Sequence, residues 1–358
     1  MRASRIRVPA RRSWSGPRDA TSALGLSDGF RAWVVDNAVR GVPGGSLISV
    51  LVEGGVPERL AVAEVGAILA SPALDACRRL DARVEALELV AALARSHARH
   101  APVPAAVERR ETVSAAEFFE GYFAANRPVV LTRFLDGWRA RGRWSPDDFK
   151  ARFGDVEIEI MAGRDADPAC DRNFEAHRTR VRMGDYVDQV TGGGPSNDVY
   201  MVAHNNALQR TALAGLLDDV APDEAIFDRA HLATQVSLWF GPRGTTTPLH
   251  HDTTNILFCQ VYGRKRVRLI APTETALLDR ARGFYAEIDC DDPRFQQDEA
   301  LRAVLIKDVE LAAGEALFIP AGWWHRVSAL EVSINLSLLG FRRPNDFDWY
   351  RPGARGEG

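Results

Sequence analysis

A chain of 358 residues, 46% hydrophobic and 26% charged, has an ordinary globular composition and room for one large domain beside a smaller one. A formal net charge of −3 excludes a general affinity for nucleic acid, and no run of about 18 apolar residues offers a membrane span. The four cysteines, Cys77, Cys170, Cys259 and Cys290, show neither close pairing nor zinc-like spacing, and they read as reduced thiols of a cytoplasmic protein.

Residues 1–19 hold six arginines and one aspartate without the apolar stretch that a signal peptide needs, so 1–26 is expected to be a disordered basic tail, with an organelle transit segment as the alternative. Residues 27–100 carry helical periodicity. Ser27 is a candidate N-cap for a helix that Gly41 and Pro43 end, and Ser46 for a short second one. Pro57 opens a third helix, and Pro72 a longer fourth in which Leu74, Cys77, Val84, Leu87 and Ala94 recur at helical spacing. These amphipathic helices predict a small helical domain with a face to bury, against the rest of the chain or in the homodimer that is expected, with a peptide partner as the alternative. Pro102 and Pro104 interrupt the periodicity, so 101–112 reads as a linker.

From 113 to 347 the pattern is α+β. A helix capped by Ser114, a strand over 128–134, a helix capped by Ser145, a strand over 156–161, a helix over 183–190 and a strand over 199–204 come first. Residues 162–180 read as a loop. Short strands then follow at 233–241, 247–252, 256–263, 265–272, 316–322, 324–330 and 332–341, with Gly and Pro between them, which is the signature of a jelly roll or barrel. The charged piece 272–305 reads as a helical insert, and 348–358 as a flexible tail.

Within that series the stretch TTTPLHHDTTN places His250, His251 and Asp252 in succession. Residues two apart on a strand face the same way, so His250 and Asp252 would share one side and His251 would point away. A further histidine, His325, ends the downstream run PAGWWH. Two histidines and one carboxylate, with other positions open, form the ligand set of non-haem Fe(II) oxygenases. A His-x-Asp alone is more often a surface hydrogen-bonded pair. In the run KRVRLI, Lys265 shares a face with Val267 and Leu269, and an inward lysine needs an anion; a lysine at a wet strand end is the alternative.

Taken together, the Pro-Leu lead-in, the His-x-Asp, the basic strand and the distant Gly-Trp-Trp-His resemble the Jumonji-C and cupin-like family of Fe(II)/2-oxoglutarate oxygenases, over about residues 108–347. The resemblance implies a double-stranded β-helix as the catalytic core, with Fe(II), 2-oxoglutarate and O2 as cofactors, and His250, Asp252 and His325 as metal and catalytic residues. It also implies that Lys265, Thr247 and Tyr200 hold the far carboxylate of 2-oxoglutarate and that Asn335 and Asn255 line its pocket. At Asn255 the match departs, because the turn after Asp252 is one residue shorter than in the asparaginyl hydroxylase branch. Ordinary turn or strand hydrogen bonds are the alternative for these four neighbours of Lys265. Trp323 and Trp324 are expected to wall the site, and His204 is a further substrate-contact candidate. That branch suggests hydroxylation of a protein or peptide side chain. A small-molecule hydroxylase, a non-catalytic binding module and a zinc or manganese hydrolase are the rivals, the last having no use for Lys265.

Overall fold

The computed structural model describes residues 21, 22, 25–101 and 105–345. The expected basic tail over 1–20, Pro102 and Pro104 of the linker, and the tail 348–358 lie outside the described residues. The chain divides into two units near Ala94.

The first unit is helical. Helices Asp28–Val39, Gly44–Glu53 and Glu58–Leu69 bury Val34 with Ala38, Leu47 with Leu51, and Ala61 with Val65. Each pair is four residues apart, so each helix turns one apolar stripe into a common core. Leu26, within the expected tail, joins that core, and Thr21–Ser22 pair with Gly25–Leu26. The caps differ from expectation. Pro43 and Pro57 occupy the N-cap positions, Ser46 lies inside its helix, and the Ser27 side chain makes no capping bond. The fourth helix, Pro72–Arg99, buries only Leu74, and leaves Leu80 67% and Leu87 58% exposed. Among the described residues no single helix is long and apolar enough to cross a membrane.

The second unit is built on two six-stranded sheets. One runs Ala281–Arg282, Tyr285–Ala286, Thr246–His250, Trp324–Ala329, Lys265–Ile270, Ile306–Leu311. The other runs Glu108–Arg110, Val129–Leu131, Ala316–Ile319, Ile256–Tyr262, Ser333–Leu338, Val236–Gly241. Phe258, Leu317 and Ile319 of the second sheet meet Val267, Leu269 and Val327 of the first in one cluster, the double-sheet packing of a jelly roll. The Lys265–Ile270 strand shows the alternation that fixes its register. Lys265, Val267 and Leu269 are buried while Arg266 is exposed, and Arg268 pairs outward with Asp291 and Asp308.

The caps at Ser114 and Ser145 form, accepting from the Glu117 and Asp148 N–H groups at 3.2 and 3.1 Å. Three expectations are corrected. Residues Glu108–Arg110 of the expected linker pair in parallel with Val129–Leu131 and extend the second sheet. The strand expected over 199–204 is reduced to single bridges, Met161 with Tyr200 and Met201 with Phe240. The expected helical insert 272–305 holds one short helix, Pro293–Gln297, with 3-10 turns and two two-residue strands. Its acidic residues serve tertiary pairing rather than a helix face: Asp289 and Asp291 bind Arg326 at 2.6 and 2.7 Å.

Candidate metal centre

Three strand ends converge at the mouth of the barrel. His250 closes the strand Thr246–His250 and stands opposite His325 in the neighbouring strand Trp324–Ala329. Their rings lie 4.1 Å apart between centroids. Asp252 follows two residues after His250, beyond the ladder, and its Oδ2 sits 3.9 Å from His250 Nε2 and 3.5 Å from His325 Nε2. One ligand atom from each of the three lies within 4.8 Å of the other two.

Both histidines are oriented through their far nitrogens. His250 Nδ1 lies 2.8 Å from the Pro248 carbonyl and His325 Nδ1 lies 3.0 Å from the Trp323 carbonyl. A carbonyl only accepts, so each Nδ1 donates, and in the neutral imidazole this leaves Nε2, on the side of Asp252, as the ligating atom. Burial, with His250 alongside, pushes the His325 imidazole down to about 4. The neutral form that ligates a metal is therefore the resting form at neutral pH.

His251 does not join them. Its backbone N–H donates to Phe284 at 3.0 Å, and its ring packs edge-on against Trp324 at 4.5 Å. Burial lowers its basicity.

A β-bulge shapes the same strand. Thr247 pairs with Val327 and His250 with His325, so Pro248 and Leu249 together face the single residue Arg326. The extra residue reverses the alternation. Thr247 and His250, three apart, consequently line one cavity, along with Tyr200, Asp252, Phe258 and His325. The Leu249 N–H displaced by the bulge donates to the Asp289 carboxylate at 3.1 Å.

Deeper in the barrel lies Lys265, 1% exposed. Its Nζ donates to the Tyr200 hydroxyl at 2.8 Å and to Asn335 Oδ1 at 2.7 Å. Among the described residues no carboxylate pairs with it, and burial pushes its amine down to about 7. Asn335 Nδ2 and Trp239 Nε1 are buried without an acceptor among the described residues. The arrangement is a buried lysine beside unpaired donors, with no carboxylate partner among the described residues.

Asn255 stands apart from this group. Its Oδ1 accepts from the Ala321 N–H at 2.9 Å, and its Nδ2 donates to Asn345 Oδ1 at 2.9 Å, so the side chain is spent on holding two loops together. Trp323 packs into the inter-sheet core and donates to Asn126, whereas Trp324 faces the cavity side with His251. His204 packs on Phe174 at 4.9 Å and lines neither cavity near the centre.

Two residues here carried no signal in the sequence. Arg164, 2% exposed, lies in a stretch that reads as a loop. It donates to the Thr246 carbonyl at 2.7 Å, pairs with Asp171 at 3.3 Å and lies 5.3 Å over the Tyr200 ring. It thus ties the start of the His250 strand to the Tyr200 wall. Tyr285, from the segment 272–305, pairs with His250 in the sheet and stacks on its ring at 5.7 Å; burial pushes its phenol up to about 12.

Above Asp252 opens a groove of about 770 Å³, walled by Phe119, Phe123, Leu278 and Trp324. Its size is that of a small-ligand or side-chain pocket.

The profile of the family described as Cupin-like domain matches residues 115–339. Among similar proteins, "Lysine-specific demethylase JMJ30" of Arabidopsis thaliana is 27% identical over 242 residues, covering 65% of this chain and 54% of its own length. "Lysine-specific demethylase 8" of Xenopus tropicalis is 24% identical over 239 residues, 65% of this chain and 52% of its own. "Jumonji C domain-containing protein 5" of Drosophila melanogaster is 26% identical over 246 residues, 65% of this chain and 59% of its own. The chain thus spans little more than half the length of these curated relatives.

Proposed function

This chain belongs to the cupin-like domain family, and on that footing we propose that it is an Fe(II)- and 2-oxoglutarate-dependent oxygenase that hydroxylates a side chain of a protein or peptide. The observation that carries the reading is one barrel mouth holding both His250, Asp252 and His325 and, below them, a buried lysine short of an anion.

The residues fit both groups. Two Nε2 lone pairs and one carboxylate would hold a divalent metal of the iron type while leaving other positions open. Lys265, Tyr200 and Thr247 would hold the far carboxylate of 2-oxoglutarate, with Asn335 beside them. Fe(II) with 2-oxoglutarate, when bound, supplies the activation of O2 that puts one oxygen atom into a C–H bond and the other into succinate, with loss of CO2. The chain's own part is to orient and exclude. The Pro248 and Trp323 carbonyls hold the imidazoles in one tautomer. Lys265 supplies the charge that fixes the cosubstrate, and the Trp324 and His251 wall limits access to the cavity.

A protein substrate is supported by the relatives named lysine-specific demethylases, since removal of a lysine methyl group proceeds by hydroxylation of that carbon. The four free thiols support a reducing, cytoplasmic setting. The helical unit supports pairing with a second copy, because Leu80, Val84 and Leu87 stand exposed at three- and four-residue spacing.

The test is release of succinate from 2-oxoglutarate by iron-loaded protein, with peptides and cell-extract proteins as candidate substrates. Succinate and a peptide heavier by one oxygen atom are expected. Iron and 2-oxoglutarate binding with no succinate under any of these conditions would make the chain a binding module.

A further inference from the structure

We propose that the groove over Asp252 selects a peptide segment in which an apolar side chain is flanked by a carboxylate, with Arg343 as the docking cation; this rests on the oxygenase reading above. The walls are apolar and aromatic, from Phe119, Phe123, Leu278 and Trp324. The polar groups of Asn126 and Asn255 that border it are engaged in holding the Ala321 turn: Asn126 donates to the Ala321 carbonyl at 3.0 Å, and Asn255 accepts from its N–H at 2.9 Å. They are not available to a ligand.

Among the described residues that line it, two carry formal charge, Asp252 and Arg343. Asp252 belongs to the metal centre. There the two charges of the iron and the one of Lys265 cancel Asp252 and the two carboxylates of the cosubstrate. Arg343 then sets the sign of the groove. Its guanidinium lies 5.2 Å over the Phe119 ring and pairs with no carboxylate among the described residues. The ring holds the planar cation in place while leaving its N–H edge for a bidentate acid. A cationic side chain, such as a methylated lysine, finds among the described lining residues no acidic group outside the metal centre.

The experiment uses the full chain loaded with Fe(II) and 2-oxoglutarate without O2, so that binding is read without turnover. Fluorescent peptides of one length carry a central leucine flanked by Asp, by Asn or by Lys. The expected order is Asp tightest and Lys weakest, with the difference shrinking as salt rises. Arg343→Ala should weaken the Asp peptide by about two- to five-fold, the range of an exposed ion pair, and leave the Asn peptide unchanged. Arg343→Glu should reverse the order of Asp and Lys. A Lys peptide bound as tightly as the Asp peptide, or an acidic preference that survives in Arg343→Ala, overturns the proposal. A free apolar acid, 4-methylpentanoate, that displaces the label as well as the unlabelled Asp peptide overturns the peptide half of it. Iron and 2-oxoglutarate binding are measured on the same samples. Their failure removes the oxygenase reading and this proposal with it, whereas intact binding with an indifferent charge order removes this proposal alone.

Discussion

The Gly322 N–H donates to the Asp252 carbonyl at 2.8 Å, tying the loop of the acidic ligand to the turn that leads into His325. Gly322 has φ +80°, and a Cβ there would meet nothing nearer than Pro272 Cβ at 3.6 Å. Space is therefore adequate, and the left-handed backbone is what requires glycine. Gly322→Ala should cost about 1–2 kcal/mol of stability in urea unfolding and should also weaken iron binding. Gly41→Ala in the helical unit, with φ +81° and open space, supplies the same strain far in sequence from the ligands. Equal iron affinity in the two variants would separate the Gly322 tie from the centre.

Lys265→Ala should raise the 2-oxoglutarate requirement steeply while iron stays bound. Removing one partner of a buried charge pair costs about 3–5 kcal/mol. Lys265→Arg should also bind poorly, because the fork cannot take the place of a point charge between Tyr200 and Asn335. Cosubstrate titration of iron-loaded variants measures both. Wild-type affinity in the alanine variant would put the carboxylate elsewhere.

The lysine also predicts a pH dependence. Burial holds the amine at about 7, below its ordinary 10.5, and a bound carboxylate favours the ammonium and raises it. Below about pH 7 the lysine is already charged and affinity should be flat. Above it, binding must take up a proton, so 2-oxoglutarate affinity should fall by up to about tenfold per pH unit. Calorimetry at pH 8 in buffers of different ionisation heat reads that proton directly. No uptake by the wild-type protein would contradict the assignment.

Much of this arrangement was legible in the sequence because it rests on short-range rules. The jelly roll showed in strands punctuated by Gly and Pro, and the convergence of His250 and Asp252 in a spacing of two. The alternation of its strand put Lys265 on the face of Val267 and Leu269, and the family resemblance decided for the inward position over a wet strand end. What stayed hidden depends on contacts between distant segments. A bulge has no local signature, so nothing in the sequence shows that Arg326 stands opposite two residues and that Thr247 thereby shares a side with His250. Arg164 looks like any loop arginine until Asp171 and the Thr246 carbonyl close over it. Asn255 suits a ligand pocket by position alone, and only Asn345, 90 residues away, shows that its amide is already used. The charges of 272–305 suggested a helical insert, whereas two of them, Asp289 and Asp291, neutralise Arg268 and Arg326 on the sheet.

The helical unit should associate through its fourth helix. Leu80, Val84 and Leu87 are 67%, 56% and 58% exposed, and Ala91 and Ala94 continue the spacing. A stripe of this kind buries itself in a partner helix. Light scattering of the full chain should give a dimer, and Leu80→Glu with Leu87→Glu a monomer of unchanged helix content. A wild-type monomer across the micromolar range would refute the pairing.

The metal assignment orders four variants. His250→Ala, Asp252→Ala and His325→Ala each remove one of the groups whose ligand atoms lie within 4.8 Å of one another, and each should lose iron and succinate formation. His251→Ala should keep the iron, because that ring packs on Trp324 and Phe284 instead of facing Asp252. Its effect should fall on substrate binding, through the groove it lines. Asp252→Asn separates charge from shape: a neutral amide of the same size is a weak ligand for a hard cation, so iron affinity should drop without unfolding. Bound iron per chain, measured beside the thermal midpoint, distinguishes a lost ligand from a lost fold. Iron retained by Asp252→Ala, or lost by His251→Ala at an unchanged midpoint, would exchange the roles of neighbouring residues and with them the geometry on which the oxygenase reading depends.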